Sequence, residues 1–353
     1  MRKMQSYVVK GKRVYVGLED SKRNWKLCVR CDGMIVDELS MPTDYSNLRN
    51  YLTRGYPGCE IGLIYEAGFQ GFWLHDLLVG DGISCVVTPP NRVTQEKDNR
   101  VKTDKIDARR LAKTLENDDF SSCWVPDREL REDRQLSRTL TQIQRLVVST
   151  KNRIRKFFDF HGLNGELPAG RWRDRCYEQL GELKLSTPLQ KCLDAYLHLL
   201  SELQGLAGSL QGELRQLAGK DRYRESVSVK QSCPGVGWLS AIRFTLEWGD
   251  CSRFGSDKHL GSWLGLTASE YSSGDSIHRG RITRQGRSQL RAWLIECAWV
   301  AIRKDPALLD KYHRVWRNSG SKKKAIVAVA RKLAGRIRTL ETRGGLYQIG
   351  VIR

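Results

Sequence analysis

The sequence predicts an α/β domain followed by an all-α region, and three observations predict it. Over residues 14–90, short apolar and β-branched runs alternate with turn residues around one helical stretch. From about residue 127 the apolar period becomes a sustained four-three spacing, the signature of long helices. Beyond about residue 225 the chain is helical, glycine-punctuated and strongly basic. A length of 353 residues suffices for two or three domains with cores of their own. The expected division is 1–125 (α/β), 126–225 (a coiled-coil helical linker) and 226–353 (a mainly helical C-terminal domain).

"RVYVGLED" reads as a strand ending in acids, and "NWKLCVRCDGMIVDELS" as a hairpin turning at Asp32–Gly33. "EIGLIYEAG" is an apolar strand ending in Glu66. "FWLHDLLVGDG" is a helix with a glycine stop, "ISCVVTPP" a strand closed by prolines, and "TDKIDARRLAKTLEND" (103–118) a helix. This order suits a mixed sheet flanked by helices. Farther on, Leu189, Leu193, Tyr196, Leu200, Leu203, Ala207, Leu210, Leu214 and Leu217 alternate four and three, a coiled-coil seam. "TPLQ" opens it as a capping box with Thr187 at the N-cap. Its partner is another subunit or, equally, the helix over 130–160 in the same chain.

The balance of 60 Lys+Arg against 40 Asp+Glu gives a net charge of +20 and a pI near 9.7. Such an excess points to a polyanion, nucleic acid before membrane. The longest apolar stretch, "AWLIECAWVAI" (292–302), is too short to span a bilayer. The basic N-terminus lacks a secretory apolar core. Ten scattered cysteines fit reduced thiols and a cytoplasmic location. The lone C-x-x-C, Cys28 and Cys31, lies on a predicted strand with its side chains on opposite faces, which excludes a zinc pair.

Chemistry can sit in two places. Asp104 and Asp107 share a face of their helix, ahead of Ala108, Leu111 and Leu115. An N-cap role for Asp104 and a helix-dipole role for Asp107 explain them as well as catalysis does. Glu66 ends one strand and Glu19 with Asp20 ends another, where α/β proteins gather ligands. Acids from two strands and a helix suit an oxygen-liganded Mg²⁺ acting on a phosphodiester. The second place is "YSSGDSIHRGRITRQGRSQLR" (271–291). There Ser272 and Ser273 precede five arginines, Arg279, Arg281, Arg284, Arg287 and Arg291, able to polarise a phosphate by bidentate contact. His278, Arg281 and Tyr312 offer a rival order, that of a tyrosine recombinase. "PGVG" (234–237) reads either as a helix-hairpin-helix phosphate contact or as a plain turn.

These residues, taken in order, carry a resemblance. "VGLEDSK", "YEAG", "KTDKIDARRLA", "PGVGWLSA", "LGLTASEYSSG" and "GRITRQGRSQLRAWL" together resemble the DEDD transposases of insertion-sequence family one hundred and ten, with its sister eleven-eleven group. The resemblance runs over nearly the whole chain. It implies an N-terminal RuvC-like (RNase H-type) domain, a coiled-coil linker and a C-terminal transposase domain. It implies Mg²⁺ on four acids, of which Glu66, Asp104 and Asp107 match the second to fourth. The first falls on Glu19, where the family has aspartate; Asp20 is the alternative. The nucleophile falls on Ser273, with Ser272 as runner-up, attacking DNA to form a 5′-phosphoserine link. The implied partners are an element-encoded bridge RNA, donor and target duplex DNA, and further copies of the chain, as a dimer pairing into a tetramer. The arginine run would hold the nucleic acid, and the protein would act at the bacterial nucleoid. The rival functions are a water-using RuvC-like nuclease, a tyrosine recombinase and an inert nucleic-acid binder.

Overall fold

In the computed structural model, residues 9–90, 103–167, 172, 174–271, 276 and 278–350 are described. The chain divides into two compact units, Met1–Val125 and Pro126–Arg353.

The first unit is built on a five-stranded sheet: β1 (Arg13–Glu19), β2 (Asn24–Cys31), β3 (Met34–Pro42), β4 (Glu60–Glu66) and β5 (Ser84–Thr88), in the order β3-β2-β1-β4-β5. β1, β2 and β3 pair antiparallel, whereas β4 joins β1 and β5 joins β4 in parallel. Asp32 and Gly33 both have positive φ (48° and 78°), which turns β2 into β3 with the twist a two-residue hairpin needs. Between the strands lie α1 (Tyr45–Gly55), α2 (Trp73–Gly80) and α3 (Asp104–Glu116).

Side chains alternate along a strand, so each strand feeds two faces. Val14, Val16 and Leu18 of β1, with Leu63 and Tyr65 of β4, meet Leu48 and Leu52 of α1 and Leu74 and Leu78 of α2. The other face takes α3. Ile64 packs on Leu111 and Leu115, and Cys28 on Ala108 and Ala112. Cys31 lies in the α1–α2 core, so Cys28 and Cys31 do face apart. Gly17 makes the helix contact close: a Cβ there would stand 2.2 Å from the Ala108 carbonyl oxygen and 2.3 Å from the Ala112 nitrogen.

The second unit is helical: α4 (Arg128–Phe160), α5 (Asp174–Gly181), α6 (Thr187–Gly219), α7 (Asp221–Ser232), α8 (Trp238–Trp248), α9 (Asp257–Trp263), α10 (Ser288–Ala301), α11 (Pro306–Ser319) and α12 (Lys322–Arg343). A two-stranded hairpin, β6 (Ala268–Glu270) and β7 (Arg279–Ile282), stands between α9 and α10. The seam of α6 is closed by α4 of the same chain. Ile154 and Phe158 meet Leu193 and Leu200 at one end, and Leu140 shares a core with Ala207 and Leu214 at the other. The two helices therefore run antiparallel. That second core continues without a break into Trp248, Leu294 and Leu333, so the long helices share their hydrophobic centre with the C-terminal ones. The cap of α6 is Ser186 rather than Thr187, and Gln190 Oε1 accepts from the Leu185 amide.

Candidate functional site

Period-two alternation decides which acids meet. Gly17 and Ile64 face α3, so the residues two further on, Glu19 and Glu66, face it as well. Moving up β1 corresponds to moving toward the N-terminus of α3, because Gly62, paired with Tyr15, approaches Leu115, whereas Gly17 abuts Ala108 and Ala112. Glu19 thus comes level with the first turn, where Asp104 and Asp107 sit. Thr103, not Asp104, caps the helix, its Oγ1 accepting from the Ile106 amide at 3.3 Å. Asp107 is buried and Asp104 exposed.

The electrostatics report the same convergence. Burial raises the Glu19 carboxyl to about 7, and the charges of Glu66, Asp107, Asp104 and Asp20 push it the same way. Asp20 is also raised, by burial, while Gln70 opposes the rise. The Asp20 charge acts on Tyr65, which belongs to the core under α1 and α2, the face opposite α3. Both Asp20 oxygens are buried without hydrogen-bonding geometry to any group among the described residues. Glu19 is therefore the first-strand acid that faces the α3 carboxylates.

Among the described residues Arg110 answers these acids, a residue the sequence reading passed over. Arg110 Nη2 lies 2.7 Å from Asp107 Oδ1 and 3.8 Å from Glu66 Oε1. The Asp107 contact lacks hydrogen-bond geometry, which leaves Oδ1 a buried acceptor unsatisfied by a protein donor. The signal was available: Arg110 follows Asp107 by three residues, hence on the same helix face. Among the described residues no three acids stand close enough to share an ion as they lie. The donor set nonetheless fits a hard divalent cation. It is all carboxylate oxygen, one carboxyl is pushed up by burial and then by its neighbours' charge, and one buried oxygen lacks a proper donor.

In the second unit, Ser272 and Ser273 lie outside the described residues, as do Gly274 and Asp275. In sequence they lie between β6 and β7, which pair through Glu270 and Arg279, with the Tyr271 amide donating to the His278 carbonyl at 2.9 Å. Beyond the loop, Ser276 Oγ and His278 Nε2 are 2.9 Å apart.

The five arginines part company. Arg279 and Arg281 belong to β7, and Arg281 and Arg284 stand exposed. Arg287 lies 3.4 Å from Glu247. Arg291 is buried, and its Nη1 donates to the carbonyls of Gln285 at 2.7 Å, Leu264 at 3.1 Å and Gly286 at 3.4 Å. It holds the turn after β7 in place instead of presenting a free guanidinium. Tyr312 is 6% exposed and packs against Trp299 and Trp316, which argues against its use as a nucleophile. The "PGVG" turn is also closely packed: a Cβ on Gly235 would meet the Cys297 carbonyl oxygen at 2.2 Å. It serves as a helix-joining turn seated on α10.

Glu247 yields a pH prediction. It is 4% exposed, and Arg138 grips both its oxygens at 2.8 and 3.0 Å. Burial pushes its carboxyl up, but the Arg138 bonds and the charges of Arg138, Arg287 and Arg134 bring it below the usual glutamate value. A depressed folded-state pKa contributes stability above the unfolded value of about 4.3, lost as pH falls through the folded pKa. Glu247→Gln is expected to cost about 3 kcal/mol at neutral pH and to flatten the acid limb of stability against pH. Urea melts of both proteins across that range check it; parallel acid limbs contradict it.

Comparison with known proteins matches two stretches of the chain, the first of which runs past Val125 into the second unit. The transposase model DEDD_Tnp_IS110 matches residues 16–162, from β1 through α4. A second model, described as the transposase IS116/IS110/IS902 family, matches residues 229–314 and includes the β6–β7 hairpin. A putative transposase of Sinorhizobium fredii, y4qE, is 29% identical over 282 residues, 79% of this chain and 68% of its own length. The transposase for insertion sequence element IS1111A of Coxiella burnetii is 27% identical over 306 residues, 83% and 80% of the two chains. A pilin gene-inverting protein of Moraxella bovis is 33% identical over 108 residues, 30% of this chain and 34% of its own.

Proposed function

The chain belongs to the IS110 family of insertion-sequence transposases, enzymes that cleave and rejoin DNA, and from that premise we propose an RNA-guided recombinase with a serine nucleophile. The observation that carries the proposal is the meeting of Glu19, Glu66, Asp104 and Asp107 beside α3. Such acids have little use in a +20 protein unless a cation is brought against a phosphodiester.

The DEDD domain implies a divalent metal, and in this reading the ion is Mg²⁺, held by Glu19, Glu66, Asp104 and Asp107. When bound it polarises the scissile phosphate. The chain's own groups do the rest. The Ser273 oxygen attacks phosphorus, forming Ser–O–P as the P–O3′ bond breaks. The serine proton passes to a carboxylate or to solvent, and the departing O3′ takes one up. A second strand's 3′-hydroxyl then attacks the phosphoserine and restores the serine, so bonds and protons balance. Arg281 and Arg284, both exposed, offer the phosphate donors.

The first unit is read as RuvC-like, of RNase H type, supported by its β3-β2-β1-β4-β5 order with acids at the ends of β1 and β4. Further copies of the chain are expected, as a dimer and a tetramer. Leu146 and Val148 on α4 and Leu199 and Leu206 on α6 are exposed apolar side chains that a second copy can cover. The sequence partner is a bridge RNA, whose pairing with donor and target would supply the specificity that backbone contacts lack. No described helix is long and apolar enough to cross a membrane, in keeping with action at the nucleoid.

The test supplies the protein with RNA from the flanks of its element, Mg²⁺ and labelled donor and target duplexes. Joined strands that require both RNA and Mg²⁺ are the expected result. Free ends without joining would assign the acids to a water-using nuclease instead.

A further inference from the structure

We propose that the basic recess beside the β6–β7 hairpin seats the phosphodiester backbone of a single nucleic-acid strand and lays it along β7. The recess has a volume of about 920 Å³ and lies among α9, the hairpin, α11 and α12. Its cations come from separate elements: Arg281 and Arg284 from β7 and the turn after it, Lys311 from α11, and Lys323, Lys324 and Arg331 from α12. None of these six makes an ion pair among the described residues. The acid on the wall, Asp257, is engaged by Arg338 at 3.2 Å.

Folding alone does not account for this arrangement. Lys323 and Lys324 sit in the first turn of α12, which holds no acid, at the end where the helix dipole disfavours cations. Lys323 and Arg331, eight residues apart on α12, both line the recess, so cations recur along its wall. The first-turn lysines oppose the helix dipole in the free protein, and a row of phosphates reverses the sign. Leu266, Ile282 and Val327 add apolar wall, against which sugars and base edges can rest.

The hairpin side is rigidly built. Arg284 holds φ +57°, a left-handed conformation unfavourable for a side chain of its size. The turn is pinned from below: a Cβ on Gly265 would meet the Gln285 carbonyl oxygen at 2.2 Å, and Arg291 bonds the Gln285 and Gly286 carbonyls. Arg291 thus acts as a positioning residue for Arg284. In sequence, Ser272 and Ser273 precede β7 by a few residues.

The inference rests on the reading that the chain handles nucleic acid, and it adds where a strand lies. DNA and RNA share the phosphodiester, so both serve as probes. The full-length protein is titrated by fluorescence anisotropy with a short single-stranded DNA of mixed sequence, and with the RNA of the same sequence, across a salt series. Each single-strand phosphate contact contributes about 0.7 to the slope of log affinity against log salt. The triple variant Lys323→Ala, Lys324→Ala, Arg331→Ala is expected to lose about 2 from that slope and at least about tenfold in affinity. Arg281→Gln, in the hairpin, gives a separate reading of about 0.7 should the triple variant fail to fold. A control, Arg153→Ala, Lys156→Ala, Lys191→Ala, removes equal charge from exposed positions of the long helices and is expected to change the slope by less than about 1. The larger fall, DNA or RNA, names the strand; equal falls show a site that reads backbone only. An unchanged slope in both recess variants, or an equal fall in the control, overturns the proposal. Binding is read without catalysis, so a protein that joins no DNA would defeat the enzymatic reading and leave this one standing.

Discussion

Glu19→Gln is expected to abolish DNA cleavage and, in the same molecule, to raise thermal stability. Amide for carboxylate removes a half-buried charge that Glu66, Asp104 and Asp107 all repel, while Arg110 pairs, among the described residues, with Asp107 and Glu66. Loss of one metal-binding acid costs roughly 10²–10³ in rate or more, a term of the size found for removing one preorganised charge contact. Relief of repulsion is worth about 1 kcal/mol, or roughly 3–5 °C in Tm for a domain of this size. Opposed changes are the mark of a site that trades stability for function. Asp20→Asn is the comparator. Asp20 faces the other side of the sheet, so its variant is expected to keep cleavage. Measured rates and melts separate the two acids, and a dead Asp20→Asn beside an active Glu19→Gln would reverse their assignment.

Gly17→Ala is expected to be the most damaging single methyl in the first unit. The added Cβ would fall 2.2 Å from the Ala108 carbonyl oxygen and 2.3 Å from the Ala112 nitrogen. Both obstacles are helix backbone, so no rotamer change can relieve them and α3 must move away from β1. Overpacking of this kind costs about 1–3 kcal/mol, with the upper end expected where backbone has to shift. The displacement would also draw Asp104 and Asp107 away from Glu19, so activity should fall further than stability alone explains. Gly62→Ala, one strand over, is the control. Its Cβ would meet the flexible Leu115 Cδ2 at 3.5 Å and nothing nearer, and a change below about 1 kcal/mol is expected. Urea melts reading equal losses for the two glycines would contradict the close-packing account.

Much of the first unit was legible because its signals are local. Alternating runs gave β1, β2, β3, β4 and β5, and Asp32–Gly33 gave the turn. The helix Tyr45–Gly55 escaped notice although Asp44 caps it by accepting from the Asn47 amide and Leu48 and Leu52 mark its buried face. It is short, and it follows a hairpin that the reading joined directly to the next strand. Period and strand ends pointed to Glu66, Asp104 and Asp107 with either Glu19 or Asp20, and the family resemblance favoured Glu19. Spacing put Arg110 on the face of Asp107, but its reach to Glu66 and the close approach at Gly17 exist only once the helix is laid on the sheet.

The arginine run shows the same limit. As a string, Arg281, Arg284, Arg287 and Arg291 are interchangeable positive charges. Folding sends Arg291 to backbone carbonyls and sets Arg287 beside Glu247, while Arg281 and Arg284 stay exposed. For the long seam, periodicity specified an apolar stripe without naming its partner, and α4 of the same chain proves to fill that place.

The most direct test of the nucleophile is to trap it. Protein, flanking RNA, Mg²⁺ and labelled DNA are incubated, denatured and searched for a protein–DNA adduct, which peptide mapping then locates. The account predicts an RNA- and Mg²⁺-dependent link on Ser273, lost in Ser273→Ala and kept in Ser272→Ala and Tyr312→Phe. Cleaved DNA with no adduct, or an adduct that survives Ser273→Ala, would contradict it.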